Sequence, residues 1–246
     1  GWVPDNAFKR RTTYYTGFYQ DTSYTGIPYT SVASNRNNNG LVNGYYVPAD
    51  NNNKYIPYFT SEFLAARGLS QSDYSYFYPG STFGGFNVAN AKVTEKDIAA
   101  ENGVIHIIDK VVTPLNSIDQ YLRNKPQYSL FRSIVERFMV LFINNVDATR
   151  RYQVLKGGNQ DVAVKVYSNF LAFSPNNENY FKLQDNDGQR DGWTIFVPTN
   201  DSLTKYINTV VLQQYTSINA LPLSIISDLL NAHMWQSTVW PSKFSS

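Results

Sequence analysis

Two histidines, His106 and His233, and no cysteine occur in the 246 residues. Without Cys the chain has no thiolate nucleophile, no disulfide framework and no cysteine metal site. The histidines do not share a His-x-x-x-His spacing, so they make a poor zinc pair. A Ser-His-carboxylate triad would need a nucleophilic Ser, and no Gly-x-Ser-x-Gly elbow is present. Asp185, Asp187 and Asp191 offer hard oxygen ligands of the kind calcium takes. The loop template fails there, because Gly188 would require a ligand at Leu183 and no bidentate Glu closes the loop. A hairpin turn with solvated carboxylates fits that segment better. Gly84-Gly85 lacks the Gly-x-Gly-x-x-Gly pattern of a nucleotide loop and reads as a bulge or turn. Asn200-Asp-Ser202 is formally a glycosylation sequon, but it lies in a helix-capping motif and is discounted. Carboxylate pairs for glycoside hydrolysis come from distant positions, and the sequence leaves them open. No catalytic, cofactor-binding or metal-ligating set emerges.

His106 belongs to the stretch that organises the chain, Glu101 to Leu115. Asn102-Gly103 is a turn signal, because Gly accepts positive φ without steric cost and Asn tolerates it. Val104, Ile108 and Val112 then alternate with Ile105, Ile107 and Val111, so both faces are apolar. Such a β-branched run predicts a strand covered on both sides. His106 and Asp109 inside it each need a hydrogen-bond partner or a solvated exit. Pro114 ends the strand. His233 continues a second stripe, Leu223, Ile226 and Leu230, on the helix predicted over 222–234.

Around these lie further elements. Ser61 to Arg67 predicts a short helix with a Ser or Thr cap and Gly68 as its stop. Tyr74 to Tyr78 is an aromatic cluster ended by Pro79-Gly80, and Phe83–Val88 and Ala91–Val93 are strand candidates. After Pro114 the period changes from 2 to 3.6. Ser117 to Leu122 predicts a short helix, and Leu130, Ile134, Phe138 and Leu141, with Phe131, Val135 and Phe142, form an apolar stripe at helical spacing. Val162 to Tyr167 reads as a strand, and Tyr180–Leu183 as the hairpin partner of Trp193–Val197. That second strand ends at Pro198, where Thr199 or Asn200 caps a helix with Asp201 in its first turn. Residues 1–60 scatter Tyr among Asn, Thr, Gly and Pro. They read as a loop-rich insertion whose rings pack on the body, or as an aromatic surface for a sugar or partner. Gly44–Val47 is a strand candidate within it.

Charged residues make up 16% of the chain and aromatic residues 15%, with 19 Tyr and 15 Phe. The charged share lies well below the usual quarter. A net charge of +2 argues against nucleic-acid binding, which requires a concentrated basic face. The uncharged, polar and aromatic surface suits a secreted or cell-surface protein, although the lack of Cys does not fix the compartment. The longest apolar run, Phe138 to Ile143, is far too short to span a bilayer. No signal peptide is visible, and Gly1-Trp2 does not look like a natural start, so the chain is expected to be processed or truncated.

Asn102-Gly-Val-Ile-His-Ile-Ile-Asp-Lys-Val-Val-Thr-Pro114 resembles the closing motif of the fasciclin-like domain, an NGxxHxIDxVLxP pattern. Ala91 to Ala100 resembles the family's approach to it. Thr194, Phe196, Pro198, Thr199 and Asn200 match the family's other signature, T-x-F-x-P-T-N/D. His233 stands where the family often has a Tyr-His pair, but Ala232 precedes it here. The resemblance implies an α+β fold, a twisted β-sandwich with helices packed around one side. It implies structural roles for the motif residues Asn102, Gly103, His106, Asp109, Pro114, Thr194, Phe196, Pro198, Thr199, Asn200 and His233, with the two histidines as hydrogen-bonding groups and not catalysts. Within one such domain the Thr-Asn motif precedes the Asn-Gly-x-x-His motif, and in this chain the order is reversed. The expectation is therefore two partial domains in tandem, 1–115 the later part of one and 116–246 the earlier part of the next. The sheet edges and core faces this leaves open are expected to be closed by missing residues, a partner chain or contact between the halves. The functional expectation is a non-enzymatic, extracellular or cell-envelope module for adhesion or for binding protein or glycan, without a cofactor. The alternative is a surface lipoprotein subunit that docks to an outer-membrane nutrient-uptake complex. A hydrolase on this scaffold ranks last.

Overall fold

The computed structural model describes residues 8–12, 17–33, 54–112, 115–143, 145–176, 193–235 and 239–244. They form the expected α+β fold. A five-stranded sheet runs in the order β1 (Phe8–Thr12), β4 (Lys54–Thr60), β5 (Phe86–Val88), β6 (Ala91–Ala100) and β7 (Gly103–Ile108), antiparallel throughout. A four-stranded sheet runs β2 (Phe18–Thr22), β3 (Pro28–Ala33), β9 (Ala163–Tyr167) and β8 (Met139–Phe142), in which β3 and β9 are parallel. A short pair joins β10 (Thr194–Ile195) to β11 (Met234–Trp235).

The first sheet is covered by α1 (Ser61–Ala66) and α2 (Gln71–Phe77). Thr60 caps α1 by accepting the Phe63 amide at 3.1 Å, and Gly68 stops it with φ +58°. The Tyr74–Tyr78 cluster lies mostly on the helix α2, whose start is marked by the capping box of Ser70 and Asp73. Phe59, Phe63, Leu64, Tyr74 and Tyr78 pack between sheet and helices. Tyr74 is fully buried, donating to the Ala89 carbonyl at 2.9 Å and accepting from Asn87 at 2.8 Å.

The second core gathers α3 (Ile118–Arg123), α4 (Ser129–Val135), α6 (Asn200–Thr209) and α7 (Leu223–Asn231) over one face of the four-stranded sheet. The short helix expected from Ser117 is present, with Ser117 as its N-cap. The stripe from Leu130 is helical only to Val135. A 3-10 turn at Glu136–Phe138 turns it, and Met139–Phe142 becomes a strand paired with β9. An apolar run of β-branched and aromatic residues fits either period, and pairing with a buried strand decides between them. Leu223, placed in the stripe of α7, is half exposed, while Ile226 and Leu230 are fully buried.

On the sheet's other face, α5 (Val146–Lys156) covers Val32, Val164 and Val166. β9 is thus buried on both faces. The region expected to be a loop-rich insertion supplies β2 and β3 to this sheet. The Gly44–Val47 candidate, the Tyr180–Leu183 strand, Asp185, Asp187, Asp191 and Pro114 lie outside the described residues.

Candidate interaction surface

The strand around His106 is exposed, which corrects the expectation of a strand covered on both sides. Val104 is 59% exposed, Ile105 51%, Ile107 42% and Val111 83%. The reason is topological: among the described residues β7 is the sheet's last strand and pairs with β6 alone. The covering helices reach only the first residues of β6, where Ala91 and Val93 are buried. Beyond them β6 and β7 run on as a two-stranded ribbon.

Two polar residues fasten this ribbon. The β6 strand carries two irregularities, around residues 93–95 and 95–98, each of which inserts an extra residue opposite β7. At the second, Asp97 sits in the left-handed region at φ +61°, where its amide cannot join the ladder. That amide donates to His106 Nδ1 at 3.1 Å, so Nδ1 is the unprotonated ring nitrogen. The Phe86 ring meets the imidazole edge to face at 5.3 Å. Asp109 accepts from the Lys92 amide at 2.8 Å through Oδ1, and its own amide donates to the Lys92 carbonyl at 3.0 Å. Thr94 Oγ1 donates to the Ile107 carbonyl at 3.2 Å.

The connecting turn lies at Glu101-Asn102, with Ala100 paired to Gly103, and neither Asn102 nor Gly103 adopts positive φ. The left-handed residue expected at Asn102-Gly103 is at Asp97 instead. Because the Asp109 amide points at β6, odd-numbered β7 residues direct their main-chain groups inward. Val104, His106 and Ile108 then direct theirs outward, as the antiparallel pattern requires. Apolar side chains on both faces and open main-chain groups along one edge are what an added strand would bind.

The remaining motif residues serve the second core. Thr199 caps α6 by accepting the Ser202 amide at 3.3 Å. Asn200 turns back to α4, accepting from the Leu130 amide at 3.0 Å and donating to the Pro126 carbonyl at 2.9 Å and Ser129 Oγ at 3.0 Å. Thr194 Oγ1 accepts the Val239 amide at 2.9 Å. Pro198 is half-buried between β10 and this cap. His233 stacks on Phe131 at 5.6 Å, its carbonyl accepts from the Phe196 amide at 2.9 Å, and burial lowers its pKa. Phe196 is partly exposed against Trp235 and Phe244. His106 lies on β7 and His233 in the turn between α7 and β11, packed in the second core, so the two are not brought together.

A buried ionic cluster that sequence reading missed joins four elements. Lys165 on β9 is 2% exposed. Its ammonium donates to Asp119 of α3 at 2.9 and 3.1 Å and to Glu136 at 3.3 Å. Tyr167 donates to Asp119 at 2.6 Å, and Arg132 of α4 bridges Glu136 at 2.6 Å and Asp21 of β2. Burial alone would raise Asp119, but Lys165 and the Tyr167 hydroxyl hold its carboxyl below the ordinary range. Burial wins at Glu136, whose pKa is raised despite Lys165 and Arg132. Burial likewise opposes the Lys165 charge, and the acidic groups around it outweigh this. Asp119 and Glu136 are each paired with a buried cation and closed to solvent. The lone signal was a Lys in an apolar strand. Among the described residues no group of three or more His, Cys, Asp or Glu is placed to hold a metal ion.

Residues 58–114 match the family model of the Fasciclin domain. The match bears out the resemblance drawn from Ala91 to Pro114, and it spans α1, α2 and β5 to β7. The Thr194–Asn200 motif and His233 lie beyond it. No curated protein and no solved structure matches the chain.

Proposed function

We propose that this chain is a non-enzymatic adhesion or binding module of the extracellular or cell-envelope surface, and that the β6–β7 ribbon is the face that engages a protein partner. The observation that carries this reading is the exposure of Val104, Ile105, Ile107 and Val111 along an unpaired strand edge. Contiguous apolar surface on an open edge marks an interaction site more often than a neutral feature. The fasciclin match at 58–114 supports the reading, since that domain type is associated with surface adhesion. No helix among the described residues is long and apolar enough to cross a membrane. Protein is favoured over glycan because main-chain edge groups and aliphatic side chains suit a strand. Sugars are bound by stacking on exposed flat rings, and among the described residues the exposed apolar side chains of the ribbon are aliphatic.

The tandem organisation, a partial unit over 1–115 and another over 116–246, belongs to the same reading. The parallel pairing of β3 with β9 supports completion of one half by the other. In this view His106, Asp109, Thr199, Asn200 and His233 position strands and caps and take no part in chemistry.

The test is a binding screen of purified surface proteins and a glycan array, run with the chain and with a Val104→Ser/Ile105→Ser/Ile107→Ser variant. Saturable protein binding lost in a variant with unchanged circular dichroism supports the ribbon. Binding that the triple variant retains sinks it, and binding confined to glycans sinks the protein reading.

A further inference from the structure

The geometry points to a second copy of this chain as the occupant of the β7 edge: two β7 strands pair antiparallel about a two-fold axis, joining two five-stranded sheets into one. The inference rests on the reading of the ribbon as the interaction surface and names its partner.

The outward main-chain groups of Val104, His106 and Ile108 require an extended strand, since only a strand presents donors and acceptors at matching intervals. The side chains require that strand to be apolar on both faces, because Val104 and Ile108 lie on one face of β7 and Ile105 and Ile107 on the other. β7 itself meets both conditions. A two-fold axis perpendicular to the sheet keeps each face on its own side. Residues opposite one another must then share a face, so their numbers differ by an even amount.

That leaves few registers. Centred on His106, the pairing sets Val104 opposite Ile108, Ile105 opposite Ile107, and His106 opposite its own copy. Beyond the strand's ends Asn102 then faces Lys110 and Glu101 faces Val111, while every exposed aliphatic side chain within β7 itself meets another. Centred on Ile105, it sets Glu101 opposite Asp109 and Asn102 opposite Ile108. Centred on Ile107, it sets Val104 opposite Lys110 and Ile105 opposite Asp109. Centred on Val104, it sets Glu101 opposite Ile107. Each of these covers an apolar side chain of β7 itself with a charged or amide one, or opposes like charges as well, which is unfavourable across a strand pair. The register on His106 is selected. The bulges of this ribbon lie on β6, away from the pairing edge, and leave β7 regular.

The register makes a test that simple disruption does not. In the full chain, I105E places a carboxylate opposite Ile107 of the other copy, and I107K places an ammonium opposite Ile105. Each occurs twice by symmetry, and each is expected to raise the dimer dissociation constant on the order of tenfold in sedimentation equilibrium. The double variant I105E/I107K sets Glu opposite Lys in both places and is expected to recover the dimer. Both positions of substitution are exposed, so circular dichroism should match that of the unsubstituted chain. A monomeric parent chain, a dimer indifferent to both single variants, or a double variant no better than the singles overturns the proposal. If the parent is monomeric while the Val104/Ile105/Ile107 variant still loses its partner in the screen, the dimer falls and the interaction surface stands. If neither effect is seen, both fall.

Discussion

Lys165 keeps its charge at 2% exposure because Asp119 and Glu136 approach it from two helices. Removing one partner of such a set leaves a buried charge uncompensated, so Lys165→Met is expected to cost about 3–5 kcal/mol in chemical denaturation. The two carboxylates respond to pH in opposite senses. Asp119 is held below its unfolded value, so its contribution is present above about pH 4 and is lost as pH falls through the lower folded value. Glu136 is raised, so its contribution is present below about pH 4 and is lost as pH rises through the folded value. Denaturation midpoints taken from pH 3 to 7 should therefore lose their acid limb in Asp119→Asn. In Glu136→Gln they should gain on the parent as pH rises, and identical profiles for the two variants would contradict the assignment. At the ribbon, His106→Ala removes the acceptor of the Asp97 amide. The expected cost is about 0.5–1 kcal/mol, read as faster exchange of that amide. Exchange unchanged from the parent would remove His106 from this role.

Among elements, the caps are the most local feature. Thr199→Ala should destabilise by about 1 kcal/mol through loss of the bond to the Ser202 amide. Asn200→Ala should cost more, since its side chain meets the Leu130 amide, the Pro126 carbonyl and Ser129 at once. Equal losses would mean that the bridge to α4 adds nothing to the cap. The stripe from Leu130 to Phe142 shows the limit of periodicity. Seven residues obey it as α4, and four others with the same apolar character form β8, because β9 offers a ladder that a longer helix would forfeit.

At the scale of the molecule, each half lends an element to the other. The β2–β3 hairpin, from the first half, joins β9 through β3. It is held by Arg132 on Asp21 and by Arg123, which donates to the Gln20 carbonyl at 3.2 Å and lies over the Tyr19 ring. In return, residues 239–244 reach the first core. Trp240 packs against Phe77 at 5.0 Å, the Ser242 amide donates to Asp73 at 3.0 Å, and Lys243 donates to the Gly68 carbonyl at 3.1 Å. Halves tied in this way should unfold together, giving one calorimetric transition with equal van't Hoff and calorimetric enthalpies. Two resolved transitions would show that the ties carry little energy. Ser242→Pro, which deletes the donated amide, should lower that transition without splitting it.

The sequence by itself determined the features whose causes are local. Thr60, Ser117 and Thr199 announce helix starts through the capping bond each makes, Gly68 announces a stop through its positive φ, and the Val162–Tyr167 run announces a strand. The motif ending at Pro114 carried the resemblance that the family match over residues 58–114 bears out, since it holds both the His acceptor for the bulge on β6 and the Asp clasp. What it could not determine was which strands would be covered. Apolar residues on both sides of β7 and of β9 look alike in a chain, but β9 lies between two helical layers and β7 lies at an edge. Burial is a property of neighbours distant in sequence, as are the partners that let Lys165 sit in a core. Only the tertiary structure decided that the strand around His106 is a surface.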